Sequence, residues 1–277
     1  MSRKINWASA IEKMSTMDKK GGQGERTQDL NLYSPKLKED GTYDAIIRFL
    51  PSNDTDLPFV VVHNHGFQGS TGKWFIENCP KTHGKKCPAC EQATKLWNSG
   101  DEAGARKRFK KFSAYSNILV IKDAQNPENE GKVFIYRYGK KLFETIKAKM
   151  VPENTEIDEP VIVFDYETGA NFKLKIRSKV VDINGQKKKF PNYDSSEFMA
   201  PSALSEKVID DVESKLLPLK TYIDDEQFKS YDALQRQIFE VEGLGEVETP
   251  KTKATPKAEK VEEDEDDSDF FARLKGE

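Results

Sequence analysis

Phe59-Val60-Val61-Val62-His63-Asn64-His65 is an apolar run that ends on histidine, and Cys79, His83 and Cys87-Pro88-Ala89-Cys90 follow it closely. The chain's 3 cysteines and 3 histidines all fall between His63 and Cys90. Thiolate and imidazole at such spacing build tetrahedral zinc sites. The plain alternative is free cysteines buried as small hydrophobes, which gives no reason for histidines to gather with them. A Cys-x2-Cys redox pair would need neither Cys79 nor a histidine, and it normally follows a strand in a βαβ unit. Three thiolates and one imidazole fill the coordination sphere and leave no open position, so the site reads as structural. Spacing favours His83, which lies midway between Cys79 and Cys87. His65 has the other merit, a rigid mount at the end of a strand.

Outward from this window the chain is polar. Of its 277 residues 36% are hydrophobic and 33% charged, which suggests a folded centre with solvated ends. No apolar run approaches the ~20 residues of a membrane span, and the first residues lack the apolar stretch of a secretory signal. Thiols kept for a metal suit a reducing cytosol. The net charge is only -3, yet it is unevenly spread. Residues 103–150 are strongly basic, residues 206–248 acidic, and Glu262-Glu263-Asp264-Glu265-Asp266-Asp267 more acidic still. Such a chain reads as a polyanion binder that carries its own competitor.

Short β-branched and aromatic runs bounded by Gly, Pro, Asn or Asp predict strands at 43–50, 59–65, 73–77, 116–122, 132–138, 160–166 and 171–178. Turn chemistry marks 126–131 and Ile183-Asn184-Gly185. Helical periodicity appears at 88–97, 139–150, 202–217 and 225–241. The expectation is a mainly β fold with peripheral helices, a small barrel rather than a parallel sheet. Arg3, Lys4, Trp7, Ile11 and Met14 at rough helical spacing predict a short amphipathic helix that docks on something else. Beyond Gly245 the composition cannot offset chain entropy, so a disordered tail is expected. Phe270 and Phe271 make an apolar knot behind its acidic run, a plausible docking peptide for other proteins.

Aromatics interleave the basic middle. Arg106-Lys107-Arg108-Phe109-Lys110-Lys111-Phe112 leads into Tyr115, then come Phe134, Tyr136, Arg137, Tyr138, Lys140 and Lys141, and last Lys187-Lys188-Lys189-Phe190 with Tyr193. Cations alone give counterion release to phosphates without regard to strandedness. Rings beside them add faces for unpaired bases, worth about 1–3 kcal/mol per base. A period of two puts Val133, Ile135 and Arg137 on one face of their strand and Phe134, Tyr136 and Tyr138 on the other.

Several runs together resemble the single-stranded DNA-binding proteins of T-even-type bacteriophages. These are Asn64-His65-Gly66-Phe67 through Cys90, Ile47-Arg48-Phe49-Leu50-Pro51-Ser52, Asn117-Ile118-Leu119-Val120, the stretch from Pro127 to Lys141, and Asn192-Tyr193-Asp194. The likeness spans about residues 40–200. It implies an OB-fold core with an inserted zinc subdomain, a basic arm for self-association and an acidic tail for protein contacts. By this resemblance the arm is 1–22, with Arg3 and Lys4 self-associating. The core is 23–245 with its zinc subdomain at about 60–112, and the tail is 246–277. The zinc ligands become His65, Cys79, Cys87 and Cys90. The family's stacking aromatics map onto Tyr115, Tyr136, Phe190, Tyr193 and Trp97, and Lys110 and Lys111 match its basic patch. Arg48, Arg106, Lys107, Arg108, Arg137, Lys140 and Lys141 complete the expected DNA contacts as basic residues of this chain. The implied protein is no enzyme: it coats single-stranded DNA in phage replication, recombination and repair. Its other partners are copies of itself and, through the tail, replication and recombination proteins. Its place is the cytoplasm of the infected host; it is neither secreted nor part of the virion. A zinc-dependent nucleic-acid enzyme would want an open metal position and a nearby general base. A zinc-finger regulator would want a basic recognition helix after Cys90, where Glu91 to Trp97 is nearly neutral.

Overall fold

The computed structural model describes residues 31–183 and 186–244. The expected arm with Arg3 and Lys4, the Asn184-Gly185 turn, and the tail with Glu262, Glu263, Asp264, Glu265, Asp266, Asp267, Phe270 and Phe271 lie outside the described residues.

Strands dominate the chain. They are β1 (Leu32–Tyr33), β2 (Thr42–Phe49), β3 (Val60–Gln68), β4 (Trp74–Asn78), β5 (Lys111–Asp123), β6 (Val133–Tyr138), β7 (Ala170–Ile183), β8 (Gln186–Asn192) and β9 (Glu197–Pro201). The helices are α1 (Pro88–Asn98), α2 (Glu102–Arg108), α3 (Lys140–Met150), α4 (Glu206–Glu213) and α5 (Tyr231–Glu242). The antiparallel order runs β6-β5-β2-β7-β8, with β9 also on β7. In β2 strict alternation puts Tyr43, Ala45, Ile47 and Phe49 inward. Phe49 meets Tyr138, Phe164 and Phe172 at centroid separations of 5.7, 5.7 and 5.9 Å. That aromatic packing centres the main core.

The long strand β5 connects two cores. Its second half, from Ile118 to Asp123, pairs with β2; its first half, from Lys111 to Tyr115, pairs with β3. Strand β3 continues as a hairpin with β4. Around this hairpin Phe67, Phe75, Cys79, Cys87 and Ala89 pack on Leu234, Ile238 and Val241 of α5 as a second core. The approach is close enough that a Cβ at Gly69 would lie 2.2 Å from the Val241 carbonyl oxygen. The carbonyl itself is held by Thr71, whose Oγ1 donates to it at 2.6 Å.

Three sequence expectations change. Residues 160–166 form turns instead of a strand, although Val161, Val163 and Phe164 are buried as a strand pattern predicts. The Asp165 carboxylate accepts from Glu167 N, Thr168 N and the Thr168 hydroxyl and folds the chain back. The backbone carbonyls of Asp165 and Tyr166 accept from Arg48 Nη2 at 2.8 and 3.2 Å. The helix expected at 202–217 shortens to α4, because Pro218 follows and the Leu217 backbone is claimed elsewhere. Asn117, fully buried, donates to Leu217 O at 2.9 Å and accepts from Leu217 N at 3.0 Å. The helix expected at 225–241 divides into a 3₁₀ turn, Asp225–Gln227, and α5, which Ser230 caps by accepting from Ala233 N.

Asp123 fixes the turn after β5. It is fully buried and accepts from the hydroxyls of Tyr33 and Tyr43 at 3.0 and 2.6 Å and from the backbone N–H groups of Gln125 and Asn126. Burial alone would raise its pKa. The bonds from Tyr43, Asn126, Asn129 and Gln125 outweigh that and hold the carboxyl below its ordinary range. A folded pKa below the unfolded one contributes stability above the unfolded value and loses it as pH falls through the folded value. Thermal unfolding from pH 7 into acid should therefore show Asp123→Asn destabilised by about 2–3 kcal/mol at neutral pH. The gap to the parent should close below the ordinary carboxylate range. An equal deficit at every pH would show that the charge has no part in it.

Candidate metal centre and nucleic-acid interface

Four side chains from three separate elements converge. His65 lies on β3, Cys79 ends the β4 hairpin, and Cys87 and Cys90 sit one residue before and three residues into α1. Pro88 opens that helix, so its missing N–H costs nothing there, and the turn presents both sulfurs on one side. Cys79 is placed by its own N–H, which donates to His63 O at 2.8 Å. The His65 Nε2 atom lies 3.4 Å from the Cys87 sulfur and 3.5 Å from that of Cys90. The sulfurs of Cys79 and Cys90 are 3.6 Å apart, and all four donor atoms lie within 4.8 Å of one another. Zinc–sulfur bonds of ~2.3 Å in a tetrahedron put sulfurs about 3.8 Å apart and nitrogen about 3.6 Å from sulfur. The donor set and its spacing fit a tetrahedral metal ion.

The set is also prepared for such an ion. His65 Nδ1 donates to the Arg108 carbonyl at 2.8 Å, which assigns the free lone pair to Nε2 facing the sulfurs. Hydrogen bonds from Cys79 and Cys90 push the Cys87 thiol down, while the reciprocal bonds and burial push Cys79 up. A divalent ion would take all three sulfurs as thiolates. His83, which local spacing favoured, is exposed and sets its ring against Phe228 at 4.4 Å. It lies outside the set. Strand β3 runs on past His65 to Gln68, so the ligand sits within the strand and not at its end as expected; its rigid mount outweighs sequence proximity, and the structure brings His65 to the cysteines as the resemblance implied.

Helix α5 seals this centre, and no local motif announces it. Arg108 makes an ion pair with Glu242 in which both side chains are largely buried, 13% and 5% exposed. Its guanidinium also donates to Gln92 Oε1 and Gly104 O and lies 5.0 Å over the Phe67 ring. Glu242 further accepts from Ser70 N and Oγ. The residue expected to touch DNA is thus turned inward, and its carbonyl orients His65. This corrects the reading of Arg108: it sits among basic residues in sequence, but it ends α2 facing the second core.

The remaining basic and aromatic residues divide. Two more are corrected, because Arg48 is fully buried under Gly169 and the 165–166 carbonyls, and Tyr136 is 2% exposed in the main core. In β6 only Arg137 of the alternating set is exposed. Across the β5–β6 register it faces Tyr115; it donates to Ser113 Oγ through Nε and Nη2 at 3.1 and 2.9 Å and lies 5.9 Å over the Tyr115 ring. Lys110 and Lys111 are exposed nearby, and Lys111 donates to Gly66 O at 3.1 Å. A second exposed group joins Trp97 to Phe109 at 5.8 Å with the Arg106 guanidinium 5.4 Å over the indole; Lys107 is exposed in the same helix. Lys140 and Lys141 begin α3, where Lys141 pairs with Asp194 beside half-buried Tyr193. Phe190 is exposed on β8 opposite Lys179. Sequence reasoning missed Tyr222, whose ring stacks on Tyr115 at 4.4 Å and 23°. It stands in an acidic stretch with no basic neighbours beyond Lys220 and so carried no local signal.

Among the described residues no helix is long and apolar enough to cross a membrane. A family model described as gp32 DNA binding protein like matches residues 41–242. The single-stranded DNA-binding protein of enterobacteria phage T2 is 38% identical over 271 residues, 93% of this chain and 86% of that protein. That of phage T4 is 37% identical over 256 residues, 89% of this chain and 81% of that protein. That of Escherichia phage SV14 is 42% identical over 108 residues, 36% of this chain and 95% of that protein.

Metal analysis of the purified full chain should give about one zinc per chain, the capacity of a single four-ligand site. His83→Ala should keep it, whereas Cys87→Ser should lose it. Loss of metal in His83→Ala with retention in His65→Ala would refute the ligand set.

Proposed function

The chain belongs to the gp32-like family of DNA-binding proteins, and from that premise we propose how it holds a single strand. It binds single-stranded DNA without regard to sequence, in the setting of phage DNA replication, recombination and repair. The observation that carries the reading is the pairing of Tyr115 on β5 with Arg137 on β6, whose guanidinium lies over the ring, with exposed Lys111 further along β5. Lys110, Lys111, Arg137, Lys140 and Lys141 neutralise phosphates, which supplies affinity but no strand preference. Tyr115, Trp97, Phe190 and Tyr193 offer faces to bases, and only unpaired bases have faces to give. Preference for the unpaired state then destabilises duplexes by mass action.

The β5-centred sheet serves as an OB-fold core, and the hairpin with α1 and α2 serves as its zinc-held insertion. Support for zinc comes from the donor set of His65, Cys79, Cys87 and Cys90 and its tetrahedral spacing. With its positions filled, the ion's part is to hold the fold, and the protein is no enzyme. Residues 1–22, through Arg3 and Lys4, associate neighbouring copies along the strand. The acidic tail, 246–277, meets replication and recombination proteins and competes with DNA for the cationic face. The work is done in the cytoplasm of the infected bacterium.

Competition among poly(dT), duplex DNA and RNA tests the reading, run with the full chain and with a chain lacking residues 250–277. Poly(dT) should displace the others, and the shortened chain should bind more tightly with a steeper salt dependence. A clear preference for duplex would reject the function. Equal affinity of the two chains at low salt would reject the tail's competition.

A further inference from the structure

The Tyr115–Tyr222 stack joins parts of the chain more than a hundred residues apart, and its surroundings say what it is for. Tyr222 ends a 3₁₀ turn, Lys220–Tyr222, that is pinned at every step. Asn117 holds the Leu217 backbone by two bonds, Leu219 is fully buried, and Asp54 Oδ2 accepts from Lys220 N at 2.9 Å. Asn117 lies two residues from Tyr115 on β5, so one strand positions both rings. Next to their neighbours Val60 and Ile223 opens a cleft of about 400 Å³, which Thr55, Asp56, Thr82 and His83 also line; neither ring is part of its wall. Val60 is the β3 partner of Tyr115, and Ile223 follows Tyr222. Both rings are partly exposed. A pinned, partly exposed pair of rings, with the Arg137 guanidinium 5.9 Å from the Tyr115 ring centre, has what stacking and phosphate neutralisation require.

We propose that Tyr222 is a DNA-contacting residue that forms with Tyr115 a two-ring platform for an unpaired base, presented by the Asn117-anchored turn. The inference rests on the single-strand reading above. Its content is that the acidic C-terminal half of the core supplies part of the binding surface. The platform takes bases by their faces, so it serves any sequence, and it adds no charge, so it leaves the counterion count untouched. The pinned turn makes the ring a wall that stays in place. A plug would have to leave, and its removal would strengthen binding.

The test is a salt titration of full-length wild type, Tyr222→Leu and Tyr222→Phe binding to oligo(dT), with thermal unfolding of each. Tyr222→Leu should lose about tenfold in affinity, in the range of one stacked base, with the slope against salt unchanged. Tyr222→Phe, which keeps the ring, should recover most of that loss. Wild-type affinity in Tyr222→Leu, or tighter binding, would overturn the platform while leaving the single-strand function intact. A wild type without preference for single strands would overturn both. If Tyr222→Leu fails to fold, photo-cross-linking of wild type to iodouracil-containing oligonucleotides decides: adducts at Tyr222 support the platform, and adducts at Tyr115 without Tyr222 overturn it.

Discussion

The His65 imidazole is the joint on which the rest of the structure turns. One ring nitrogen donates to the Arg108 carbonyl and the other faces the sulfurs of Cys87 and Cys90. The residue itself sits in β3, whose earlier half pairs with Lys111–Tyr115 of β5. A single side chain therefore couples the Cys₃His cluster, the end of α2 and the strand that carries Tyr115. The Arg108–Glu242 ion pair extends the coupling to α5. A buried ion pair of this kind is weak evidence for added stability but strong evidence for constrained geometry, since removing either partner strands the other.

This arrangement gives a reason for a four-donor cluster able to hold a metal ion in a protein that handles a flexible polymer. Stacking rewards only rings that are already in place, because ordering them at the moment of binding would consume the gain. Tyr115 is placed by a strand paired on both sides, Arg137 by Ser113, and Tyr222 by Asn117. The cluster contributes by making β3 a rigid partner for β5. Charged groups need less exact placement, since neutralisation of phosphates does not depend on one geometry.

What the sequence reveals about this site follows the range of the interactions. Cys87-Pro88-Ala89-Cys90 is a local pattern on one helix start and was legible. Spacing pointed to His83 over His65, because the choice depends on a hairpin that carries the middle of a distant strand to the cysteines. The mainly β character was legible from short alternating runs. At 160–166 the apolar residues are buried, but the backbone is engaged outside any ladder: Val161 N donates to Lys149 O, Asp165 N to Ile162 O, and Arg48 takes the carbonyls of Asp165 and Tyr166. Arg48 and Tyr136 belong to matching runs and Arg108 to the basic stretch, yet their burial depends on Gly169, the main core and α5, none of which those segments contain. The helical pattern near 231–242 was visible, but nothing in it announced that it closes the metal centre. Tyr222 was invisible for the same reason.

Amide hydrogen exchange on the full chain with and without its metal tests the central claim most directly. Removal should expose β3, β4, residues 79–108 and α5, and the loss of protection should spread into Lys111–Tyr115 of β5 while β2 and β7 stay protected. Unchanged protection at Lys111–Tyr115 in the metal-free protein would contradict the claim that the His65 joint holds the binding face in place.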